Sequence, residues 1–238
     1  MKYRDYTIPG LYTDITISTR PDSDDDYAVV REIFNLNIYR FDGNFLEQKN
    51  PVVLDIGANI GVFTLFVLSV AHEAGKAVHV YAVEPEENNI EILRKNLLAN
   101  KQLFERGSKV TVIPKGVSDF SGYSGITNNA GSSRLTGAAN TQEIEIITYD
   151  ELLEEVSENK IDFVKCDIEG SELPMITGAS EASILRARRY AIEFDEHNNS
   201  EDFISIIKPF LNDFSFSTFG VPERGSNIYL ENHKRFLI

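Results

Sequence analysis

The sequence predicts an α/β fold: a mostly parallel sheet with helices on both faces, closed at its carboxyl end by an antiparallel hairpin. From residue 52 onward, strand-like and helix-like segments alternate. The strand segments are almost continuously apolar, as strands buried on both faces must be. The first of them, VVLDIGANIG at 52–61, breaks off into glycines before a new apolar segment begins. A sheet needs no such break, whereas a ligand that must reach the main chain does.

In chain order, VVLDIG reads as a strand and the stretch from about Gly61 to Gly75 as an apolar helix. AVHVYAVEP is a second buried strand, and EENNIEILRKNLLANK a helix in which Ile90, Leu93 and Leu97 recur at helical spacing. KVTVIPKGVSD reads as a third strand, and IEIITYDELLEEV as a short strand with a helix starting near Tyr149. IDFVKCDIEG and RRYAIEFDE supply a fourth and a fifth strand, a helix follows near Glu201–Leu211, and FSFSTFG pairs with SNIYLEN as the closing hairpin. Residues 1–50 stand outside the alternation, as an amino-terminal extension to a main domain over 51–238. Within the extension, DDDYAVVREIFNLNIY looks like an amphipathic helix with an aspartate cap, lying across the sheet as a lid or substrate-side element. YSGITNNAGSSRLTGAAN (123–140) reads as a mobile Gly/Asn/Ser-rich loop able to close over a substrate.

Composition narrows the function classes. A chain of 238 residues, 42% hydrophobic and 25% charged, suits one soluble α/β unit. No apolar run approaches the roughly 20 residues that span a bilayer. The opening MKYRDYTIPG lacks an apolar h-region, so no secretory signal is expected. The single cysteine, Cys166, excludes an internal disulfide and a cysteine-based zinc site, and a reducing cytoplasm is the expected setting. A formal charge of −14 repels phosphate backbones, which makes RNA or DNA a poor substrate. The acidic PDSDDD at 21–26 reads as a solvated loop that caps the next helix. The oligomeric state is left open, a homodimer included.

Open α/β sheets bind ligands at the carboxyl ends of their strands, near the point where strand order reverses. Gly57 and Gly61 allow a sharp turn there, and the following helix points its amides at the same place, which suits a carboxylate or phosphate. The segment G-A-N-I-G does not meet the G-x-G-x-x-G dinucleotide fingerprint, which disfavours NAD. Glu84 ends the second strand, either as a carboxylate that accepts both hydroxyls of a ribose or as a strand-end charge facing solvent. Gly116 to Asp119, GVSD, offers backbone contact for an adenine ring and oxygens of Ser118 and Asp119 for its amine, or else an ordinary turn. Jointly these strand ends describe S-adenosylmethionine, released as S-adenosylhomocysteine. Asp55 and Asp167 would place negative charge near its ammonium and sulfonium groups, or cap loop amides.

VVLDIGANIGVFTL, VYAVEPEENNIEILRKNL and IDFVKCDIEGSELPMI resemble the signature blocks of the FkbM-type S-adenosylmethionine-dependent methyltransferases. With GVSD and YAIEFDEH the resemblance spans about residues 50–198. Its most specific part is K-x-D-x-E-G-x-E, formed by Lys165, Asp167, Glu169, Gly170 and Glu172. The resemblance implies a seven-stranded, Rossmann-like class I methyltransferase fold and methyl transfer to a hydroxyl, often on a sugar, glycan or secondary metabolite. It implies that Asp55, Gly57, Asn59 and Gly61 cradle the methionine end, that Glu84 takes the ribose, Ser118 and Asp119 the adenine edge, and Asp167 the reaction centre. Many relatives carry a histidine two residues after the fifth-strand glutamate; here that position is Asp195, with His197 two further on.

A hydroxyl acceptor must lose its proton, and general-base help is worth about 10²–10⁴-fold. Asp167, Glu169, Glu193, Asp195 and His197 are the candidates at this sheet edge. A Mg²⁺ ion on Asp167, Glu169 and Glu193 is the less favoured alternative. Cys166 faces away from Lys165 and Asp167 as a buried hydrophobe. Methylation at nitrogen of a metabolite or peptide, a nicotinamide-dependent oxidoreductase and a binding module without turnover are the competing readings.

Overall fold

In the computed structural model, residues 3–10, 14–21, 23–44, 50–129, 132–136, 142–156, 158–194, 200–220 and 226–232 are described. The chain opens with β1 (Arg4–Ile8), β2 (Ile15–Thr19) and α1 (Asp24–Phe34). Then come β3 (Val52–Ile56), α2 (Val62–Glu73), β4 (His79–Val83), α3 (Glu87–Ala99) and β5 (Lys109–Ile113). Next are β6 (Gly116–Ser118), β7 (Gly122–Asn129), β8 (Ser132–Thr136), β9 (Gln142–Thr148) and α4 (Tyr149–Val156). The last part runs β10 (Phe163–Cys166), α5 (Glu172–Gly178), α6 (Glu181–Ile184), β11 (Arg189–Phe194), α7 (Ser200–Ile207), β12 (Phe214–Gly220) and β13 (Ser226–Asn232).

The main sheet has seven strands in the order β12-β13-β11-β10-β3-β4-β5. β5, β4, β3, β10 and β11 are parallel, and β13 runs antiparallel to both of its neighbours. From β3 the chain moves outward through β4 to β5, then resumes on the other side at β10. The carboxyl ends of β3 and β10 therefore flank the switch point where such sheets bind ligands.

Strand alternation sorts the residues onto two faces. Leu54, Ile56, Val164, Cys166 and Ile192 join the cluster that contains Leu152, Leu153, Met175 and Ile206 of the helices on one side. Val53, Phe163 and Ala191 join Phe63, Leu65 and Val67 of α2 on the other. That second cluster also holds Ile15, Ile17, Val30, Ile33, Tyr39 and Phe41. The amino-terminal segment is thus part of the core rather than a flap over it.

β2 is fastened by side chains that act as a strand partner. Asn96 accepts from the Ser18 amide (2.7 Å) and donates to the Ser18 carbonyl (3.1 Å). Asn100, one helical turn on, does the same for Thr16, at 2.9 and 2.7 Å. Helical i,i+4 spacing matches the alternate residues of the strand closely enough for both to engage.

Four local expectations are corrected. KVTVIPKGVSD is not one strand. Pro114 has no N–H to give a ladder; β5 stays in the main sheet, and β6 leaves to pair parallel with β9. The 123–140 stretch, expected as a loop, contributes β7 and β8, which pair with each other while β7 pairs with β9 in a four-stranded sheet. Pairing with β9 overrides a composition poor in strand formers; residues 130–131 and 137–140 lie outside the described ones. The antiparallel β1–β2 pair has no counterpart in the sequence reading. α1 is capped by Ser23, whose oxygen accepts from the Asp26 amide at 3.1 Å, not by an aspartate, and it ends at Phe34 rather than Tyr39.

Candidate functional site

The turn after β3 is built by hydrogen bonds within the chain. The Gly57 and Ala58 amides both donate to the Val83 carbonyl, at 3.0 and 2.9 Å. Gly57 has φ +78°, and a Cβ there would lie 1.7 Å from the Asp167 carbonyl oxygen. Gly61 has φ +84°, and a Cβ there would lie 2.9 Å from Leu93 Cγ. These glycines are demanded by close packing of the loop after β10 and of α3, a reason different from ligand access. Asn59, also left-handed at φ +48°, turns its amide onto Glu84 Oε2 at 2.8 Å.

Glu84 is only 5% exposed. Its Oε1 accepts from the Glu86 amide at 3.0 Å and from Asn89 Nδ2 at 3.2 Å. Burial pushes its carboxyl up, and the bonds from Glu86, Asn89 and Asn59 offset only part of that. The carboxylate lines a cleft at the switch point. Ile56, Val83, Pro85 and Val117 give this cleft apolar walls; Gly57, Asn59, Gly116, Asp167 and Glu169 line it as well.

Other expected residues do not reach the cleft. Asp55 is fully buried below the turn, accepting from Thr64 Oγ1 at 2.6 Å and lying 3.5 Å from Lys165 Nζ; burial pushes its carboxyl up. Gly61 is taken up by its packing on α3. Because β6 turns away toward β9, Ser118 is buried with its hydroxyl on Asp119 Oδ1 (3.3 Å), and Asp119 packs against Gly178. The wall at that point is Lys115, Gly116 and Val117. Asp195 and His197 lie outside the described residues.

At the end of β10 the acidic residues converge on a buried lysine. Lys165 Nζ donates to the Gly57 carbonyl at 2.6 Å and lies 3.4 Å from Asp167 Oδ2. Burial opposes its charge, but Asp167, Asp55 and Glu193 outweigh that and hold it above the ordinary lysine value. The Tyr39 hydroxyl stands 2.9 Å from Asp167 Oδ2 and 3.1 Å from Glu193 Oε2. The charge of Asp167, then burial, pushes the Glu193 carboxyl up to about 8.

The loop between β10 and α5 runs through two left-handed residues, Glu169 (φ +55°) and Gly170 (φ +102°). Glu172 holds it, accepting from the Ile168 amide at 2.7 Å and the Gly170 amide at 2.9 Å. Burial pushes the Glu172 carboxyl up to about 7 against those bonds. Among the described residues, no group of three or more His, Cys, Asp or Glu side chains is arranged to hold a metal ion. Cys166 lies on the opposite face beside Met175, its thiol pushed up by burial.

Two contributors were not legible as site residues. Tyr39 follows α1 in a segment without periodic signal. Arg20, which lines the cleft, grips the buried Asp26 at 2.5 Å and reaches Asn89 Oδ1 at 3.2 Å. The basic residue directly before PDSDDD was the only available hint.

The profile of the methyltransferase FkbM domain matches residues 55–219. The AMB antimetabolite synthetase AmbE of Pseudomonas aeruginosa is 26% identical over 207 residues, covering 69% of this chain and 9% of that protein. The methyltransferase sdnD of Sordaria araneosa is 26% identical over 200 residues, covering 69% of this chain and 73% of that one. The solved methyltransferase FkbM from Methylobacillus flagellatus KT gives a TM-score of 0.57 at 20% identity, over 84% of this chain and 47% of that one. The chain therefore spans less than a tenth of the synthetase and under half of the solved relative.

Proposed function

The chain belongs to the FkbM methyltransferase family and has its Rossmann-like class I fold, and from that premise we propose that it moves a methyl group from S-adenosylmethionine to a hydroxyl of a sugar, glycan or secondary metabolite. The nicotinamide-dependent oxidoreductase reading gives way to methyl transfer. The observation that carries the donor assignment is Glu84, a buried carboxylate at the end of β4 that lines a cleft at the switch point.

The residues of the cleft fit the donor. Glu84 Oε2 accepts a bond from Asn59 and keeps an acceptor direction for a ribose hydroxyl. Ile56, Val83, Pro85 and Val117 offer apolar surface for adenine. Asp167 and Glu169 bring negative charge suited to a sulfonium. α2 begins at Gly61 with no side-chain cap, which favours a carboxylate at its amino end. When bound, S-adenosylmethionine supplies a methyl group that is already activated.

What remains for the chain is to align the acceptor oxygen, keep water out and receive a proton. Asp167 is the carboxylate placed to receive it: it lines the cleft, and Lys165 and Tyr39 hold one of its oxygens. Lys165 also ties the turn after β3 to the end of β10, so both walls keep one spacing. A thermal-shift panel tests the donor. S-adenosylhomocysteine should raise the Tm with the logarithm of its concentration and NAD should not; stabilisation by NAD alone would overturn the reading.

A further inference from the structure

We infer that Tyr39 is a proton-relay residue joining the cleft-facing carboxylate of Asp167 to the carboxylate of Glu193 behind it, so that the two accept protons as one unit. This rests on reading the cleft as the methyl-transfer site. Tyr39 reaches Asp167 Oδ2 at 2.9 Å and Glu193 Oε2 at 3.1 Å through one hydroxyl oxygen. A phenol owns one proton. It donates to one carboxylate at a time, and the other short O···O approach is a hydrogen bond only when that carboxyl is itself protonated.

Position separates the roles. Asp167 lines the cleft, whereas Glu193 is one strand further along the sheet and is not part of the cleft wall. The groups acting on Glu193 are Asp167, Lys165 and Glu169 from β10 and its loop, together with Tyr39; Tyr229 of β13 also feels its charge. Burial and the two flanking carboxylates hold Tyr39 far above the ordinary phenol value, so it passes protons on without keeping a negative charge.

In the transfer, the acceptor O–H breaks with its electron pair left on the acceptor oxygen, and the proton goes to Asp167. The Asp167 carboxyl then donates to the Tyr39 oxygen as the Tyr39 proton passes to Glu193 Oε2. For the form in which Glu193 starts ionised, above its midpoint near 8, the sum is one proton moved from the cleft to Glu193, with Tyr39 restored as a phenol.

The turn that delivers Tyr39 is tightly specified. The Asn37 side chain bonds both the carbonyl and the amide of Phe41, at 2.8 and 3.0 Å. Asn37 and Arg40 both adopt left-handed backbone, at φ +47° and +52°. The Tyr229 hydroxyl donates to the Ile38 carbonyl, and the Tyr39 ring packs edge-on against Phe63 with centroids 5.3 Å apart. Non-glycine residues held at positive φ cluster where a side chain must be aimed.

The test is carboxyl ¹³C NMR titration of the full chain without ligand, in wild type and in Tyr39→Phe, Asp167→Asn and Glu193→Gln. In wild type the Glu193 carboxyl should titrate near 8. Asp167→Asn should lower the Glu193 midpoint by about one to three units, the usual effect of removing a neighbouring like charge. Tyr39→Phe should raise that midpoint, because it removes the hydrogen bond that favours the ionised carboxylate. A Glu193 midpoint in the ordinary glutamate range, or an unchanged Glu193 midpoint in Tyr39→Phe, would overturn the relay. If Tyr39→Phe does not fold, the Asp167→Asn titration decides the matter, with Glu193→Gln assigning the signal: a Glu193 midpoint that does not move in Asp167→Asn overturns the relay. Calorimetry with S-adenosylhomocysteine is run in parallel: failure of wild type to bind sinks the donor assignment, while the titration judges the relay alone.

Discussion

Gly57 shows what residue-scale reading captures and what it misses. The glycine is legible in VVLDIGANIG as a place where a side chain cannot be tolerated. The partner is not, because the Asp167 carbonyl that fills the space comes from a loop more than a hundred positions away. Gly57→Ala combines that collision with a strained φ. It should cost more than about 2 kcal/mol in chemical denaturation, and a variant as stable as wild type would show that the loops are not in contact. Glu84 was legible because strand-end position and residue type coincide. Tyr39 was not, since a tyrosine after a helix has many uses and only the fold brings two carboxylates to it. Glu193 makes a pH prediction. Its carboxyl is raised from an ordinary 4.5 to about 8, so the folded chain holds this proton more tightly than the unfolded chain does. Its contribution to stability is full below about pH 4.5 and is lost as pH rises through about 8. Glu193→Gln should flatten the fall in stability over that window in urea titrations at stepped pH. Some slope should remain from Glu172, raised in the same direction to about 7.

Elements were legible where periodicity was strong and partners adjacent in sequence. β3, α2, β4 and α3 follow from apolar strands and helical spacing alone. β7 and β8 were hidden because β7 is held by pairing with β9 and β8 by pairing with β7, rather than by strand-forming residues of their own. The break at Pro114 was visible as a residue but not as a change of sheet. The most testable element is β2, which pairs with β1 and also takes hydrogen bonds from Asn96 and Asn100 of α3 and its end. Asn96→Ala leaves buried groups at Ser18 and Ile60 unpaired. With the three groups worth about 1–3 kcal/mol each, a loss of about 3 kcal/mol or more is expected in denaturant midpoints. A loss within experimental error would mean that β2 is held by its apolar residues alone.

At the scale of the molecule, the alternation from residue 52 announced a parallel sheet and pointed to its carboxyl edge as the candidate site. The role of residues 1–50 was harder to see, because an irregular segment declares its partners only once folded. Ile15, Ile17, Val30, Ile33, Tyr39 and Phe41 share one cluster with Val53, Phe63 and Phe163. Deleting residues 1–43 should therefore remove cooperative thermal unfolding, rather than merely open the cleft; a truncated chain with a sharp transition near the wild-type Tm would contradict this. The central claim is that β3, β4 and β10 jointly hold an adenosyl ligand, with Glu84 on its sugar. Isothermal titration of S-adenosylhomocysteine into wild type and into Glu84→Gln tests it most directly. Hydrogen bonds to a charged group are worth about 1.5–3 kcal/mol, so the variant should bind roughly 10- to 100-fold more weakly while keeping its circular dichroism. Equal affinity in the two proteins, or no binding to the wild type, would contradict the account.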